Sequence, residues 1–159
     1  MICQTIPLHP YESATLTAIC LSNTTELQMK PRRAVIVCPG GAYHGLANHE
    51  AEPVAWQFLA AGFATFVLRY GVKENAANCA PLCQVALAIK YLREHAEEFN
   101  LDPDHIFTCG FSAGGHLAGS AGVLWEGAHG WSLCQPLTGV DFPHNACWID
   151  LAIKWAKEL

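Results

Sequence analysis

A serine stands between a strand-like run and a helix-like segment in the stretch Gly110-Phe111-Ser112-Ala113-Gly114. Residues 106–109 are apolar and typical of a buried strand, and the Ala- and Gly-rich residues after Ser112 are typical of a closely packed helix. A serine on so sharp a turn needs small neighbours, and Gly110 and Gly114 lack a Cβ. The pattern predicts a nucleophile elbow whose Ala113 N–H faces an oxyanion. The alternative is a glycine-rich turn whose serine only caps a helix.

A second glycine-rich stretch, CPGGAYHG, closes another apolar run at residues 34–38. Adjacent glycines after a buried strand let backbone N–H groups approach a ligand closely. We expect Gly41 or Ala42 to supply a second donor to the same oxyanion, and Tyr43 and His44 to lie beside an acyl pocket. The alternatives are a tight turn that binds nothing and two side chains that only decorate the surface.

The remaining chain alternates between strand-like and helix-like segments. Strands are predicted at 1–8, 14–21 (an edge strand, from its alternation) and 63–70; helices at 50–61 (capped by Asn48), 81–99 and 146–159; and a turn at 100–104. Such alternation predicts a mostly parallel, doubly wound sheet with helices on both faces. In such sheets, ligands bind at the carboxyl ends of the strands, where Ser112 and the glycine-rich stretch both emerge.

Composition narrows the function classes. The 159 residues predict a single domain, 1–159, and the content of 52% hydrophobic and 14% charged residues suits strands covered on both faces. The net charge of −5 and the scattered nine Lys and Arg residues argue against nucleic-acid binding. No apolar run is long enough for a membrane span and no signal peptide is visible, so we expect a cytoplasmic protein without a membrane partner.

The eight cysteines do not form a recognisable metal site. Four of them, Cys3, Cys20, Cys38 and Cys109, lie in apolar strand-like runs, where a free thiol behaves as a small hydrophobic side chain. Cys79 and Cys83 are four residues apart, and no second pair follows at zinc-ribbon spacing. We therefore predict neither a metal nor another cofactor.

At this point a family resemblance becomes visible. The stretches VIVCPGGAYHGLANHEAEPVAWQFLAAGFATFVLRYGV and LDPDHIFTCGFSAGGHLAG resemble α/β-hydrolase esterases of the acetyl-xylan and feruloyl esterase kind, related to the lipase and acetylesterase group. The match covers about residues 30–125, and the tail PHNACWIDLAIKWAKEL resembles the final helix of such enzymes. The resemblance implies an α/β-hydrolase-like fold with Ser112 as nucleophile and the N–H groups of Ala42 and Ala113 as oxyanion donors.

The resemblance stops after the elbow. Members of that family carry well over a hundred residues beyond the nucleophile, whereas 159 − 112 = 47 residues follow it here. The chain therefore resembles an internally shortened hydrolase that lacks the strands after the elbow strand, together with the usual acid and histidine. His144 and Asp141 are the candidates to replace them, with His129 as a weaker substitute. The alternative is that His144 only precedes a helix and Asp141 lies in a solvated turn.

Shortening would also leave an apolar edge on the sheet, and such edges pair with other chains. We therefore expect a homodimer, either paired through that edge or exchanging the terminal helix at 146–159 between protomers. The predicted function is that of a serine carboxylic-ester hydrolase acting on short acyl esters, with acetyl or feruloyl groups on carbohydrate as candidates. The alternative is a catalytically impaired hydrolase-fold scaffold, or a ligand-binding protein, that lacks the acid and the histidine.

Overall fold

The computed structural model of the protein describes residues 1–123. Its strands are β1 (Ile2–Leu8), β2 (Tyr11–Cys20), β3 (Arg32–Cys38), β4 (Ala64–Arg69) and β5 (Leu101–Gly110). Its α-helices are α1 (Glu52–Ala60), α2 (Ala80–Glu94), α3 (Ala96–Phe99) and α4 (Ala113–Val123), and 3₁₀ turns occupy Asn48–Glu50 and Lys73–Cys79. The helix predicted at 146–159 lies outside the described residues.

The five strands form one mixed sheet in the order β1-β2-β4-β3-β5. β3 runs parallel to β4 and to β5, whereas β2 runs antiparallel to β1 and to β4. The parallel part contains the strands that lead into the two glycine-rich stretches. Because β3 and β5 are parallel neighbours, both stretches leave the sheet at the same end.

Side chains on the two faces of the sheet form two separate apolar clusters. One cluster joins β-strand residues such as Ile36 and Phe66 to residues of α2 and α4, including Val85 and Leu117. The other joins strand residues on the opposite face to α1 through Ala55. Helices therefore cover both faces, as the alternation of segments predicts, because each face of a central strand must be removed from water.

The edge position predicted for the strand at 14–21 is wrong. β2 lies between β1 and β4, and β1 is the strand at that end of the sheet. The alternation that suggested an edge has another cause: the residues of β2 before Ala18 are buried on one face only. An antiparallel strand with one solvated face shows the same pattern wherever it lies in the sheet.

Two local predictions are also corrected. The helix predicted at 81–99 breaks at His95, whose φ of −114° and ψ of 26° end α2 before the short α3 begins. Its apolar stripe nevertheless faces the core throughout, from Val85 to Phe99. The turn predicted at 100–104 lies largely inside β5, as an irregularity: Leu101 pairs with Arg32, and the next pair of the register is Ile106 with Ala34.

The other end of the sheet is formed by β5, which within residues 1–123 pairs with β3 alone. Its Phe107 side chain is 47% exposed, unlike the fully buried strand residues of β3. Among the helices of this part of the chain, none has the length and apolar content needed to cross a bilayer.

Candidate active site

The turn from β5 into α4, residues 110–114, is the predicted elbow. Ser112 has a φ of 49°, a left-handed conformation that non-glycine residues rarely adopt, and its residue is exposed. The Phe111 N–H donates to the Cys38 carbonyl at 3.2 Å, and the Gly114 N–H donates to the Phe111 carbonyl at 2.7 Å. The serine therefore stands on a tight, strained turn whose backbone is tied to the end of β3.

Both glycines that flank the serine are required by close backbone contacts. A Cβ at Gly110 would lie 2.1 Å from the Gly114 carbonyl oxygen. A Cβ at Gly114 would lie 2.0 Å from the carbonyl oxygen of Cys38 and 2.5 Å from that of Pro39. Since backbone atoms cannot yield as the end of a flexible side chain can, no other residue fits at either position without moving the chain.

The second bend, residues 39–45, follows β3 and is called the glycine loop here. Three consecutive residues have positive φ: Gly41 at 134°, Ala42 at 55° and Tyr43 at 57°. The Gly41 carbonyl accepts hydrogen bonds from the N–H groups of His44 (2.9 Å) and Gly45 (3.1 Å). Such a run of left-handed backbone turns the loop sharply and leaves Gly41 and Ala42 exposed.

The glycine loop and the elbow are in direct contact. A Cβ built on the buried Gly40 would lie 2.7 Å from the Phe111 carbonyl oxygen and 3.1 Å from the Ser112 Cβ. Within residues 1–123, the N–H groups of Gly41, Ala42 and Ala113 donate no hydrogen bond. The structure therefore places the exposed Ser112 against Gly40, the residue before Gly41 and Ala42, and both bends carry N–H groups without a hydrogen bond in residues 1–123. An oxyanion hole requires such unbonded donors.

Tyr43 and His44, the predicted pocket residues, differ from each other in their hydrogen-bond partners. The Tyr43 hydroxyl is 2.9 Å from Nδ1 of His116 on α4, and the two rings meet edge to face with centroids 6.1 Å apart. The exposed His44 places its Nδ1 3.1 Å from the Ala42 carbonyl oxygen of its own loop. Tyr43 thus joins the glycine loop to the elbow helix through the exposed His116.

Glu50, the first residue of the helix predicted at 50–61, also belongs to this region. Its Oε2 accepts a hydrogen bond of 2.8 Å from the Gly40 N–H. The predicted cap is wrong as well: α1 begins at Glu52 without a side-chain cap, and the Asn48 side-chain oxygen accepts from Arg69 at 3.2 Å. No local sequence signal identifies the Gly40 contact, because it depends on how the glycine loop folds back.

Comparison with known proteins identifies the family. Residues 23–132 match BD-FAE, which is more than half of the chain. The chain belongs to the BD-FAE family. It is also 34% identical over 98 residues to endo-1,4-β-xylanase B of Butyrivibrio fibrisolvens, a match that covers 60% of this chain and 15% of the xylanase.

Two further relatives agree with the BD-FAE assignment. Acetylxylan esterase of Xylanibacter ruminicola is 33% identical over 87 residues, which cover 54% of this chain and 18% of that protein. A solved α/β hydrolase enzyme from a Medee basin deep-sea metagenome library superposes with a TM-score of 0.73 and 39% identity, covering 76% of this chain and 50% of its own. The predicted fold class, an esterase-like α/β hydrolase, is confirmed, and the chain spans only part of each relative.

Two thiols lie near the carboxyl ends of β3 and β5 in this BD-FAE chain. Burial, and to a lesser degree the neighbouring Cys109, raises the pKa of the Cys38 thiol to about 12. Burial also raises the pKa of Cys109. Because only a thiolate is an effective nucleophile, these shifts favour the exposed Ser112 hydroxyl over either thiol as the nucleophile.

The remaining predicted site residues, His144 and Asp141, lie outside the described residues, as does His129. Within residues 1–123, no three metal-binding side chains lie close enough together to hold a metal ion. The structure thus places Ser112 against Gly40 of the glycine loop, which Gly41 and Ala42 follow in the chain.

Proposed function

We propose that the protein is a serine carboxylic-ester hydrolase acting on short acyl esters. The observation that carries the proposal is the exposed Ser112, which stands at a φ of 49° directly against Gly40 of the glycine loop. Membership of the BD-FAE family and the likeness to an acetylxylan esterase support the same reaction class. By that likeness, acetyl or feruloyl groups on carbohydrate are the proposed substrates.

In the proposed reaction, the Ser112 Oγ attacks the ester carbonyl carbon and its proton passes to a general base. The carbonyl oxygen becomes an oxyanion, which accepts hydrogen bonds from the N–H of Gly41 or Ala42 and from that of Ala113. Collapse of this intermediate expels the alcohol, which takes up the proton, and leaves an acyl-serine. Water then attacks the acyl carbon and releases the carboxylic acid.

We propose His144 as the general base, with Asp141 orienting its imidazole. The reason is chemical: a serine hydrolase without a base loses about 10⁶-fold in turnover and keeps only about 10³–10⁴-fold over water. The histidine on the elbow helix, His116, is engaged by the Tyr43 hydroxyl. The competing proposal, for a chain without a base beside Ser112, is a ligand-binding or scaffold protein that retains the pocket.

Hydrolysis of p-nitrophenyl acetate separates the two proposals. We expect Ser112→Ala to abolish turnover and His144→Ala to reduce it by about 10⁴-fold or more, while Ser120→Ala, a serine substitution further along the same helix, leaves it unchanged. Equal background rates for the wild type and all three variants would contradict the esterase proposal. Loss with Ser112→Ala but not with His144→Ala would contradict only the role of His144.

The expected homodimer stays a prediction. What supports it is the sheet end at β5, where Phe107 is 47% exposed and where, among residues 1–123, no strand pairs on the outer side. An exposed apolar strand edge favours pairing with another chain.

A further inference from the structure

Glu50 is a carboxylate that contacts the candidate site through the backbone rather than through a cation. Its Oε2 accepts from the Gly40 N–H at 2.8 Å, and its side chain is 25% exposed. The nearest cationic candidate, the His49 Nε2, is 3.7 Å from the other oxygen, and that histidine side chain is 81% exposed. A partly buried carboxylate therefore has a single amide as its close hydrogen-bond partner in this part of the chain, and a bond to a carboxylate is charge-assisted.

The amide that Glu50 binds is at the point where the two bends meet. A Cβ on Gly40 would lie 2.7 Å from the Glu50 Oε2, 2.7 Å from the Phe111 carbonyl oxygen and 3.1 Å from the Ser112 Cβ. Gly40 thus fits between the carboxylate on one side and the elbow on the other. Any shift of this residue would move the glycine loop relative to Ser112.

The next residue determines where the proposed oxyanion donors point. Gly41 has a φ of 134°, and Ala42 is left-handed at 55°. The Gly40 N–H lies in the peptide plane before Gly40, and the Gly41 N–H lies in the plane after it, together with the Gly40 carbonyl. Glu50 therefore holds the first plane, from which the loop continues into Gly41 and Ala42. The Gly40 carbonyl is held as well, since it accepts from the Ala47 N–H at 2.9 Å.

Glu52, two residues further along the chain, is a carboxylate that binds a cationic side chain instead of the backbone. It binds Arg69 through both oxygens, at 2.8 and 2.9 Å, and within residues 1–123 its side chain makes no hydrogen bond to either bend. The two acidic residues are two positions apart in the chain and both accept hydrogen bonds. Only Glu50 directs its acceptor at the backbone of the glycine loop.

We propose that Glu50 is a positioning residue of the candidate active site: its carboxylate fixes the Gly40 N–H and thereby aligns the glycine-loop donors with Ser112. This inference rests on the proposed esterase function. It predicts that the Glu50 acceptor affects the chemical step more than substrate binding, because oxyanion donors act mainly on the transition state.

The test compares Glu50→Ala, which removes the acceptor, with Glu50→Gln, which keeps an amide oxygen of the same reach, and with Glu52→Ala as the matched control. With p-nitrophenyl acetate, we expect Glu50→Ala to lower kcat by about 10–100-fold with little change in KM, because small misalignments at a reacting centre are costly. Glu50→Gln should restore kcat to within about three-fold of the wild type, because a neutral amide still accepts the bond.

A second measurement, amide hydrogen exchange of Gly40, does not depend on activity. We expect exchange at Gly40 to be at least about ten-fold faster in Glu50→Ala than in the wild type, and close to wild type in Glu50→Gln and Glu52→Ala. An inactive wild type would remove the esterase proposal, while Gly40 exchange would still decide whether Glu50 holds the loop.

The inference is overturned if Glu50→Ala loses no more kcat than Glu52→Ala, or if Gly40 exchange is unchanged by Glu50→Ala. If Glu50→Ala does not fold, Glu50→Gln decides. In Glu50→Gln, a near-wild-type kcat together with unchanged Gly40 exchange supports positioning through the acceptor. In the same variant, a kcat loss of ten-fold or more with unchanged exchange shows a requirement for the charge and overturns positioning.

Discussion

The elbow and the glycine loop end adjacent strands and both contain left-handed backbone, but they are held in different ways. At the elbow, the chain is confined by backbone atoms. A Cβ on Gly110 would clash with the Gly114 carbonyl, and a Cβ on Gly114 would clash with the Cys38 carbonyl at the end of β3. The glycine loop relies on side chains from elsewhere, with Glu50 at one end and His116 touching Tyr43 at the other. The elbow should therefore be the more sensitive of the two bends to added atoms, and the glycine loop should be sensitive both to added atoms and to lost hydrogen bonds.

The largest effect is expected from Gly114→Ala. Its Cβ would lie 2.0 Å from the Cys38 carbonyl oxygen, and neither backbone can yield without separating β3 from the elbow. We expect the free energy of unfolding to fall by about 3 kcal/mol or more, at the upper end of overpacking costs. Chemical denaturation followed by circular dichroism measures this.

Gly119→Ala is the matched control on the same helix. A Cβ at Gly119 meets no atom of the described chain within 4 Å. Because alanine favours a helix over glycine by about 1 kcal/mol, this variant should be as stable as the wild type or more stable. Equal losses in the two variants would show that the elbow is not confined by its backbone.

Gly41→Ala tests the glycine loop and should have the next largest effect. The position combines a φ of 134° with a Cβ only 2.2 Å from the Gly45 carbonyl oxygen. We expect a loss of about 1–3 kcal/mol in the free energy of unfolding, smaller than at Gly114 because an exposed loop can move where packed strands cannot. The same denaturation experiment applies.

Gly45→Ala is the control within the same loop, since a Cβ there would meet nothing within 4 Å in the described structure. It should change stability by less than about 0.5 kcal/mol. A Gly41→Ala cost equal to or above that of Gly114→Ala would remove the distinction between a confined bend and a tethered one.

This difference also explains what the sequence could reveal. Local patterns identify the strands and the turn at Ser112, because each depends on neighbours within a few residues. They also point to small residues at 110 and 114, although the contact that requires Gly114 comes from the distant Cys38 and Pro39 carbonyls. The contact of His116 with Tyr43 likewise joins segments that are distant in the chain, and the contact of Glu50 with Gly40, ten residues away, depends on how the glycine loop folds, so no periodicity encodes either. The break at His95 was missed because the apolar stripe continues through it, so periodicity alone could not show where the helix ends.

The hydroxyls that tether the glycine loop should have effects no larger than that of Gly41→Ala. Tyr70 is buried and donates to the Pro39 carbonyl at 2.6 Å. Burial raises the pKa of its hydroxyl, and the charges of Tyr43, Cys38 and Glu50 raise it further, so the group remains a donor. Tyr70→Phe leaves a buried carbonyl without this bond, and we expect a loss of about 1–3 kcal/mol in the free energy of unfolding.

Tyr43→Phe removes a more exposed bond, the 2.9 Å contact with His116, and keeps both ring contacts. Water can replace the lost partner, so we expect a loss of only about 0.5–1 kcal/mol in the free energy of unfolding. A double-mutant cycle with His116→Ala isolates the interaction between the two side chains. If the coupling is zero while the Tyr43→Phe loss persists, the loop is not tied to α4 through this bond, and the tether must lie in the ring contacts instead.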